Sequence, residues 1–207
     1  MLLNRVEFAL MNNPVRVAIQ RHFEAERLLA MGGAVPGAAA LEVGCGRGVG
    51  VELVLDRFGA ARVDGFDLDP RMVGLARRRL VRRGECVRLW VGDATRIPAA
   101  DASYDAVFDF GILHHVPDWR AALGEIHRVL KPGGRFFAEE VFERFLSHPI
   151  WRRLLEHPRE DRFDRARFRS GLESAGFTVR ATRSLGSGFG WFVADRAAGA
   201  PAQRGLS

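Results

Sequence analysis

From residue 39 onward the chain alternates short apolar runs with helix-length amphipathic stretches. Strand-like runs at Ala39–Val43, Arg62–Phe66, Val87–Val91, Tyr104–Phe110 and Arg135–Val141 are interleaved with helical patterns at 48–58, Pro70–Arg83 and Trp119–Leu130. Crossovers of that length join parallel strands, because an antiparallel neighbour needs only a short turn. A parallel sheet is apolar on both faces and has to be covered on both. The pattern changes late in the chain. After helical stretches around Ile150–Glu156 and Arg165–Ala175, the runs Phe177–Leu185 and Phe189–Ala194 flank Gly186-Ser187-Gly188, the signature of a hairpin. The expected fold class is α/β: a doubly wound, mostly parallel sheet with a C-terminal antiparallel hairpin and helices on both faces. Lys131-Pro132-Gly133-Gly134 reads as the stop of the helix before the fifth strand.

Three regions are expected: an N-terminal helical cover over 1–37, the α/β domain over 38–195, and a small, polar, disordered tail over 196–207. In the cover, Leu3, Val6, Phe8, Leu10 and Met11 make a short amphipathic piece. Asn13 then caps a second helix with Pro14 in first position, where a missing N–H costs nothing. That helix carries Val17, Ile19, Phe23, Leu28 and Leu29 and stops at Gly32-Gly33. Its Arg16, Arg21 and Arg27 leave two readings, a helix packed on the domain and a peripheral contact of residues 1–31 with an acidic membrane surface. At 207 residues and 47% hydrophobic, the chain suffices for one core and shows no second domain.

The net charge of +6 is almost all arginine, Lys131 being the only lysine. So one-sided a choice speaks for compositional bias rather than a binding face, and no nucleic-acid partner is expected. The run Arg71, Arg77, Arg78, Arg79, Arg82 and Arg83 reads first as a solvated helix face and second as a phosphate or acidic-lipid contact. Cys45 and Cys86 lack metal-ligand spacing and suggest a reducing compartment. No signal-peptide core and no run near the roughly 20 apolar residues of a membrane span is found, so the expected location is the cytoplasm.

The first strand breaks into Ala40-Leu41-Glu42-Val43-Gly44-Cys45-Gly46-Arg47-Gly48, and a helical pattern opens behind it. Glycines at alternate positions admit turns closed to other residues and let the backbone approach a ligand. The first N–H groups of the next helix point at whatever rests there. A cofactor-binding loop is indicated, although a plain βα connection shares its composition. In a doubly wound sheet ligands lie beyond the carboxyl ends of the strands, where strand order reverses. At those ends stand Glu42 with Gly44–Gly48, Asp67-Leu68-Asp69, Gly92-Asp93-Ala94, Asp109-Phe110-Gly111 with Leu113-His114-His115-Val116, and Glu139-Glu140. Asp67 follows Gly48 by 19 residues, where a carboxylate meets both hydroxyls of an unmodified ribose. Val49 occupies the place where a dinucleotide fingerprint wants its third glycine, and no P-loop lysine is present. Glu42 is a poor neighbour for a pyrophosphate and a good one for an ammonium or sulfonium. These features point away from NAD and ATP.

Together these segments resemble the S-adenosylmethionine-dependent methyltransferases of the Rossmann-like class, and within them the small-molecule and quinone-type subgroup. Leu41–Gly48 is similar to the family's first motif, Gly65-Phe66-Asp67-Leu68-Asp69-Pro70-Arg71-Met72 to its ribose motif and Gly92-Asp93-Ala94 to its adenine motif. Tyr104–Val107 through Leu113–Asp118 resembles the fourth motif, and Arg128–Arg135 the entry to the fifth strand. The likeness covers about residues 38–141, and Leu172–Phe177 more loosely. It implies a Rossmann-like fold and S-adenosyl-L-methionine as cofactor. It further implies that Gly44 and Gly46 hold the methionine part, beside Glu42, and that Asp67 binds the ribose. By the same likeness Asp93 accepts from the adenine amino group with the Ala94 N–H beside it, and Leu68 packs on the adenine. Phe110 falls next to the methionine moiety, where the family often has a polar residue.

Such a cofactor carries its own electrophile, so the protein needs chiefly to exclude water and align an acceptor. A base helps only if the acceptor loses a proton. His115 and Glu140 are the candidate catalytic residues, against the reading that the histidines form a satisfied turn. Adjacent histidines without a third ligand give no metal site. The place where methyltransferases of exocyclic base amines often carry Asn/Asp-Pro-Pro-aromatic reads Asp109-Phe110-Gly111-Ile112, against that class. Phe142, Phe145, Leu146, Ile150, Trp151, Leu154 and Leu155 either cover the cleft for a small hydrophobic acceptor (a quinone, polyketide or lipid) or complete the core. Methyl transfer to such an acceptor is the expected function. Competing readings are an NAD-dependent oxidoreductase, disfavoured by the glycine spacing and the lack of a Tyr-x-x-x-Lys pair, and a non-catalytic cofactor-binding subunit or membrane-surface adaptor.

Overall fold

A computed structural model of the chain describes residues 13–143 and 161–198. The helical stretches expected at Leu3–Met11 and Ile150–Glu156 and most of the expected tail lie outside them. The described chain opens with α1 (Pro14–Ile19), which passes through one π-helical turn (Gln20–Glu24) into α2 (Ala25–Gly32). The Asn13 side chain accepts from the Arg16 N–H at 2.9 Å, satisfying one of the donors that a helix start leaves over.

Strand β1 (Ala39–Val43), helix α3 (Val49–Asp56), β2 (Arg62–Asp67), α4 (Pro70–Leu80) and β3 (Val87–Val91) follow in strict alternation. Next come β4 (Tyr104–Phe110), α5 (Trp119–Val129), β5 (Leu130–Val141), α6 (Arg165–Ser174), β6 (Phe177–Leu185) and β7 (Phe189–Arg196). The sheet has the order β3-β2-β1-β4-β5-β7-β6; the first five strands are parallel, and β7 runs antiparallel to both β5 and β6. The hairpin therefore joins the sheet by its second strand. Strand order reverses between β1 and β4, and their carboxyl ends open the crevice in which such sheets bind ligands.

Adjacent residues on a strand face opposite ways, so the sheet carries two cores. Phe136 goes to the face of Trp119, Phe168 and Phe192, and Phe137 to the face of Phe58, Phe108 and Leu28. Phe108 and Phe137 stack at 4.6 Å between centroids, and Phe58 meets both edge-on. Each such fully buried ring contributes about 2–3 kcal/mol. Phe142 belongs to the first core, buried against Phe192, so this member of the suggested apolar cover serves packing.

One expectation is corrected. Helix α5 ends at Val129, and Leu130 already pairs with Tyr104; the register then shifts until Arg135 lies opposite Ala106. Lys131-Pro132-Gly133-Gly134 is thus a bulge inside β5. A side chain at Gly134 would stand 2.8 Å from the Lys131 carbonyl and 3.1 Å from that of Asp105, so the bulge closes only over glycine. Half of the arginine run on and just after α4 is neutralised within the fold: Arg71 pairs with Asp69, Arg79 with Glu52 and Arg83 with Asp56.

Candidate functional site

The first wall of the crevice is mostly backbone. Gly44, Gly46 and Gly48 all have positive φ, which other residues adopt only at a cost. Gly48 caps α3, and the space over Gly46 is open. Under this loop lies Glu42, buried on β1 and accepting from the Val51 N–H in the first turn of α3. Its Oε2 has no donor. Burial, then the charges of Asp67 and Asp109, push its carboxyl well above the usual range. Gly50 makes room for it: a Cβ there would stand 1.9 Å from Glu42 Oε1 and 2.7 Å from Phe110. Gly50, the residue after the Val49 that spoils the dinucleotide spacing, thus admits a carboxyl beneath the loop.

At the end of β2, Asp67 holds the loop in place. Its Oδ2 accepts from the Gly46 N–H and its Oδ1 from the Asp69 N–H, each at 2.9 Å. Burial still raises its pKa, against these two donors. Asp69 caps α4, accepting from the Arg71 N–H at 2.8 Å. Leu68 is exposed and borders the crevice. After β3, Ala94 lines the crevice, while Asp93 stands exposed with Oδ1 taking the N–H and hydroxyl of Thr95.

The second wall is built on hidden carboxyls. Asp109 ends β4 fully buried, and its Oδ1 accepts from the Ile112 N–H at 2.8 Å. Glu140, on β5 and also fully buried, accepts from the Leu113 N–H at 2.9 Å, the His114 N–H at 3.3 Å and His114 Nδ1 at 2.7 Å. The two carboxyls lie close enough to repel as anions, and Asp109 Oδ2 is buried without a hydrogen-bond donor. Burial, then the Glu140 charge, pushes Asp109 well above its usual range, whereas Glu140 is raised by burial only to about 7 because N–H donors favour its anion. Asp109 therefore keeps the proton, and Glu140 anchors the turn Leu113–His115. This placement removes Glu140 from the reacting surface: it does not line the crevice, and its oxygens are engaged behind the turn. His115 does line it, its ring 4.2 Å from that of His114.

Glu139 points to the opposite face of the sheet. There Arg16 of α1 pairs with Glu24 at 2.5 Å, and the buried Glu139 lies within reach of both charges. Burial, then the Glu24 charge, raises Glu139 well above its usual range, so it too is held as an acid. This chain seats α1 across the crevice, where Arg16, Val17 and Gln20 form part of the lining. Sequence reasoning gave Arg16, Gly50 and Asp109 no place in the site. The heptad-scale separation of Arg16 and Glu24 hid their pairing, but the extra glycine at 50 behind Glu42 was a readable signal.

The empty space in and in front of the crevice amounts to about 1050 Å³, open solvent at its mouth included. Of the expected residues it brings together Glu42, Gly44, Gly46, Asp67, Leu68, Ala94, Phe110 and His115. Carboxyls stand at the glycine loop, and Leu68, Met72, Ala94, Ile112 and Val116 make the rest largely apolar. A donorless carboxyl oxygen under a glycine loop costs about 1–3 kcal/mol until something positive or protic meets it. The residues present fit a ribonucleoside with a cationic substituent, and suit a pyrophosphate poorly.

Residues 41–138 match a family model described as a methyltransferase domain. A Mycolicibacterium smegmatis protein described as an S-adenosylmethionine-dependent methyltransferase is 34% identical over 154 residues, 74% of this chain and 57% of that protein. The demethylmenaquinone methyltransferase of Thermus thermophilus is 39% identical over 101 residues, 48% of this chain and 46% of the enzyme. The chain spans about half the length of the curated relatives it matches. A solved S-adenosylmethionine-dependent methyltransferase from Aquifex aeolicus superposes with a TM-score of 0.72 at 20% identity, covering 92% of this chain and 97% of that one, a likeness of fold.

Proposed function

We infer, for a chain that carries a methyltransferase domain of the Rossmann-like, S-adenosylmethionine-dependent class, that it transfers a methyl group from S-adenosyl-L-methionine to a small, lipophilic acceptor. The observation that carries the cofactor assignment is the pairing of Glu42 Oε2, buried without a donor, with the Asp67 carboxylate on the two sides of an open glycine loop. Asp67 retains lone pairs for ribose hydroxyls after accepting from Gly46 and Asp69. Glu42 would face the positive end of the ligand, Leu68 and Ala94 would flank the base, and the exposed Asp93 next to Ala94 would accept from its amino group. Phe110 closes the crevice beside the methionine part.

When bound, the cofactor supplies a methyl group on a sulfonium, an electrophile that needs no activation by the protein. The chain's own task is to exclude water and hold the acceptor in line. Ile112, Val116 and the overlying α1 supply apolar surface for it. His115 borders the same space and takes a proton where the acceptor must lose one; Glu140 acts only through the turn that aims His115. Support for a lipophilic acceptor comes from Val15, Ile19 and Phe23, exposed at four-residue spacing on the helix that roofs the crevice. The same stripe suits peripheral contact with a membrane in which the acceptor dissolves. Among the described residues no helix is long and apolar enough to cross one.

The test is calorimetric titration with S-adenosylmethionine, S-adenosylhomocysteine and NADH, with Asp67→Ala run alongside. The expected outcome is binding of the two sulfur compounds and none of NADH, weakened about 10–100-fold in the variant, the cost of charge-assisted hydrogen bonds to two hydroxyls. Binding of NADH alone would overturn the assignment in favour of an oxidoreductase. Tight sulfonium binding with no turnover on quinone, polyketide or fatty-acid acceptors would favour the cofactor-binding adaptor.

A further inference from the structure

Half of the arginines of the described chain are matched with carboxylates, among them Arg16, Arg21, Arg57, Arg71, Arg79 and Arg83. One concavity gathers three that are not. It lies at the outer edge of the sheet and wraps the edge strand β6, with Arg183 on the face of Trp191 and α2 and Thr182 and Ser184 on the face of Phe192 and α6. Arg27 and Ala30 of α2 stand on one side, and Arg165, the first residue of α6, on the other. None of the three arginines has a carboxylate partner among the described residues. The Arg27 guanidinium lies 4.2 Å from the Phe23 ring centroid and 4.6 Å from that of Trp191, so aromatic faces hold it without neutralising it. Among the described residues Arg165 reaches the Ser184 hydroxyl, at 3.4 Å. The neighbouring acid, Asp164, is spent on the Arg167 N–H at 2.8 Å as the cap of α6.

We propose that this concavity binds a phosphate-type oxyanion at the sheet edge through Arg27 and Arg183 on one side of β6 and Arg165 reaching it from the other. Three guanidinium groups brought to one hollow repel one another, and a doubly charged anion with several acceptor oxygens relieves that repulsion while accepting their N–H groups in pairs. Arg27 is oriented before any ligand arrives, which lowers the ordering cost of binding. The place also has a logic. Strand β6 runs parallel to β5, since both are antiparallel to β7, so Thr182–Ser184 lie at the same sheet end as the crevice. The helix that contributes Arg16 to the crevice contributes Arg27 to the hollow, roughly 16 Å further along its axis at 1.5 Å per residue. An anion held there is within reach of a molecule whose other end enters the crevice, whether that anion is a phosphate on a soluble compound or the headgroup of an acidic lipid. The inference does not rest on methyl transfer.

The experiment follows the arginine side-chain Nε–Hε resonances of the full chain by NMR, without cofactor, as inorganic phosphate is added against sodium chloride of equal ionic strength. A parallel arm measures cosedimentation with phosphatidylcholine vesicles made with and without phosphatidic acid. Expected is saturable, phosphate-dependent movement of the resonances assigned to Arg27, Arg165 and Arg183, weakened at least about tenfold in Arg165→Gln/Arg183→Gln. Arg180→Gln, on the same strand but paired with Asp195, should bind as the parent does. Phosphate binding without vesicle binding supports a soluble source, and arginine-dependent binding to the acidic vesicles alone supports a lipid headgroup. Equal movement with chloride together with vesicle binding unchanged in the double variant overturns the proposal. Should the double variant fold poorly, Arg183→Gln alone decides it by the same readout.

Discussion

The two walls of the crevice use the same kind of residue in opposite ways. On the β1–β2 wall the carboxyls of Glu42 and Asp67 face the cavity and stand ready for a ligand. On the β4–β5 wall Asp109, Glu139 and Glu140 face away from it, two of them kept protonated, and they hold up the turn and the helix that shape the space. An acidic residue at the end of a parallel strand is thus a ligand group or a concealed strut according to what covers it. The first kind is tuned for binding and the second for stability, so they should fail differently when changed.

The largest effect is expected where both walls meet. Gly50→Ala places a methyl group against Glu42 and Phe110, and should weaken S-adenosylmethionine binding by a hundredfold or more, about 3 kcal/mol, although alanine favours the helix by about 1 kcal/mol. Calorimetry measures the first and denaturant unfolding the second. Next comes pH. A carboxyl whose folded pKa is raised binds its proton more tightly folded than unfolded, so its stabilisation is complete below the unfolded value and disappears as pH rises through the folded one. For Glu140, moved from 4.5 to about 7, this is on the order of 3 kcal/mol lost between about pH 4.5 and 7. Glu42, Asp109 and Glu139 carry the same sign to higher pH. His127, lowered by burial, opposes it weakly below its ordinary 6.5. Thermal midpoints across pH 4.5–8 should therefore peak on the acid side.

Replacing one strut separates the walls. Glu140→Gln should cost about 2–3 kcal/mol in unfolding free energy, because one amide oxygen cannot serve three N–H donors, and should flatten the pH slope. Cofactor affinity should stay within about twofold. Asp109→Asn, which donates as the protonated acid does, should cost under about 1 kcal/mol; if it cost more than Glu140→Gln, the proton would belong to the other partner. The smallest effect belongs to Glu42. A cation above it should draw off its proton, so binding releases less than one proton near neutrality and tightens as pH rises, and Glu42→Gln should abolish that release. Calorimetry in buffers of different ionisation enthalpy reads the difference directly.

The parallel sheet, the glycine loop and the closing hairpin were legible because each rests on local pattern: apolar runs of strand length, glycines at alternate positions, and a Gly-Ser-Gly turn between β-rich segments. The bulge in β5 was not, since a proline and two glycines end a helix and interrupt a strand equally well, and only the pairing of Leu130 with Tyr104 decides between them. The first wall was legible for the same local reason, with Asp67 placed by its distance from the loop. Glu139 and Glu140 were ambiguous because strand parity assigns them to opposite faces without saying which face is covered by what. Arg27, Arg165 and Arg183 share no local pattern at all; the fold alone brings them to one hollow.

The sheet order has a consequence in time. Strand β7 fills the slot beside β5, yet the ribosome makes β6 before it, and roughly 50 residues separate the end of β5 from the start of β7. At about 5–20 residues per second, a nascent chain spends about 2–10 s with Phe136–Val141 presenting an unpaired edge. That interval, rather than any weakness of the finished sheet, is when this molecule is most open to capture by a chaperone or by another copy of itself.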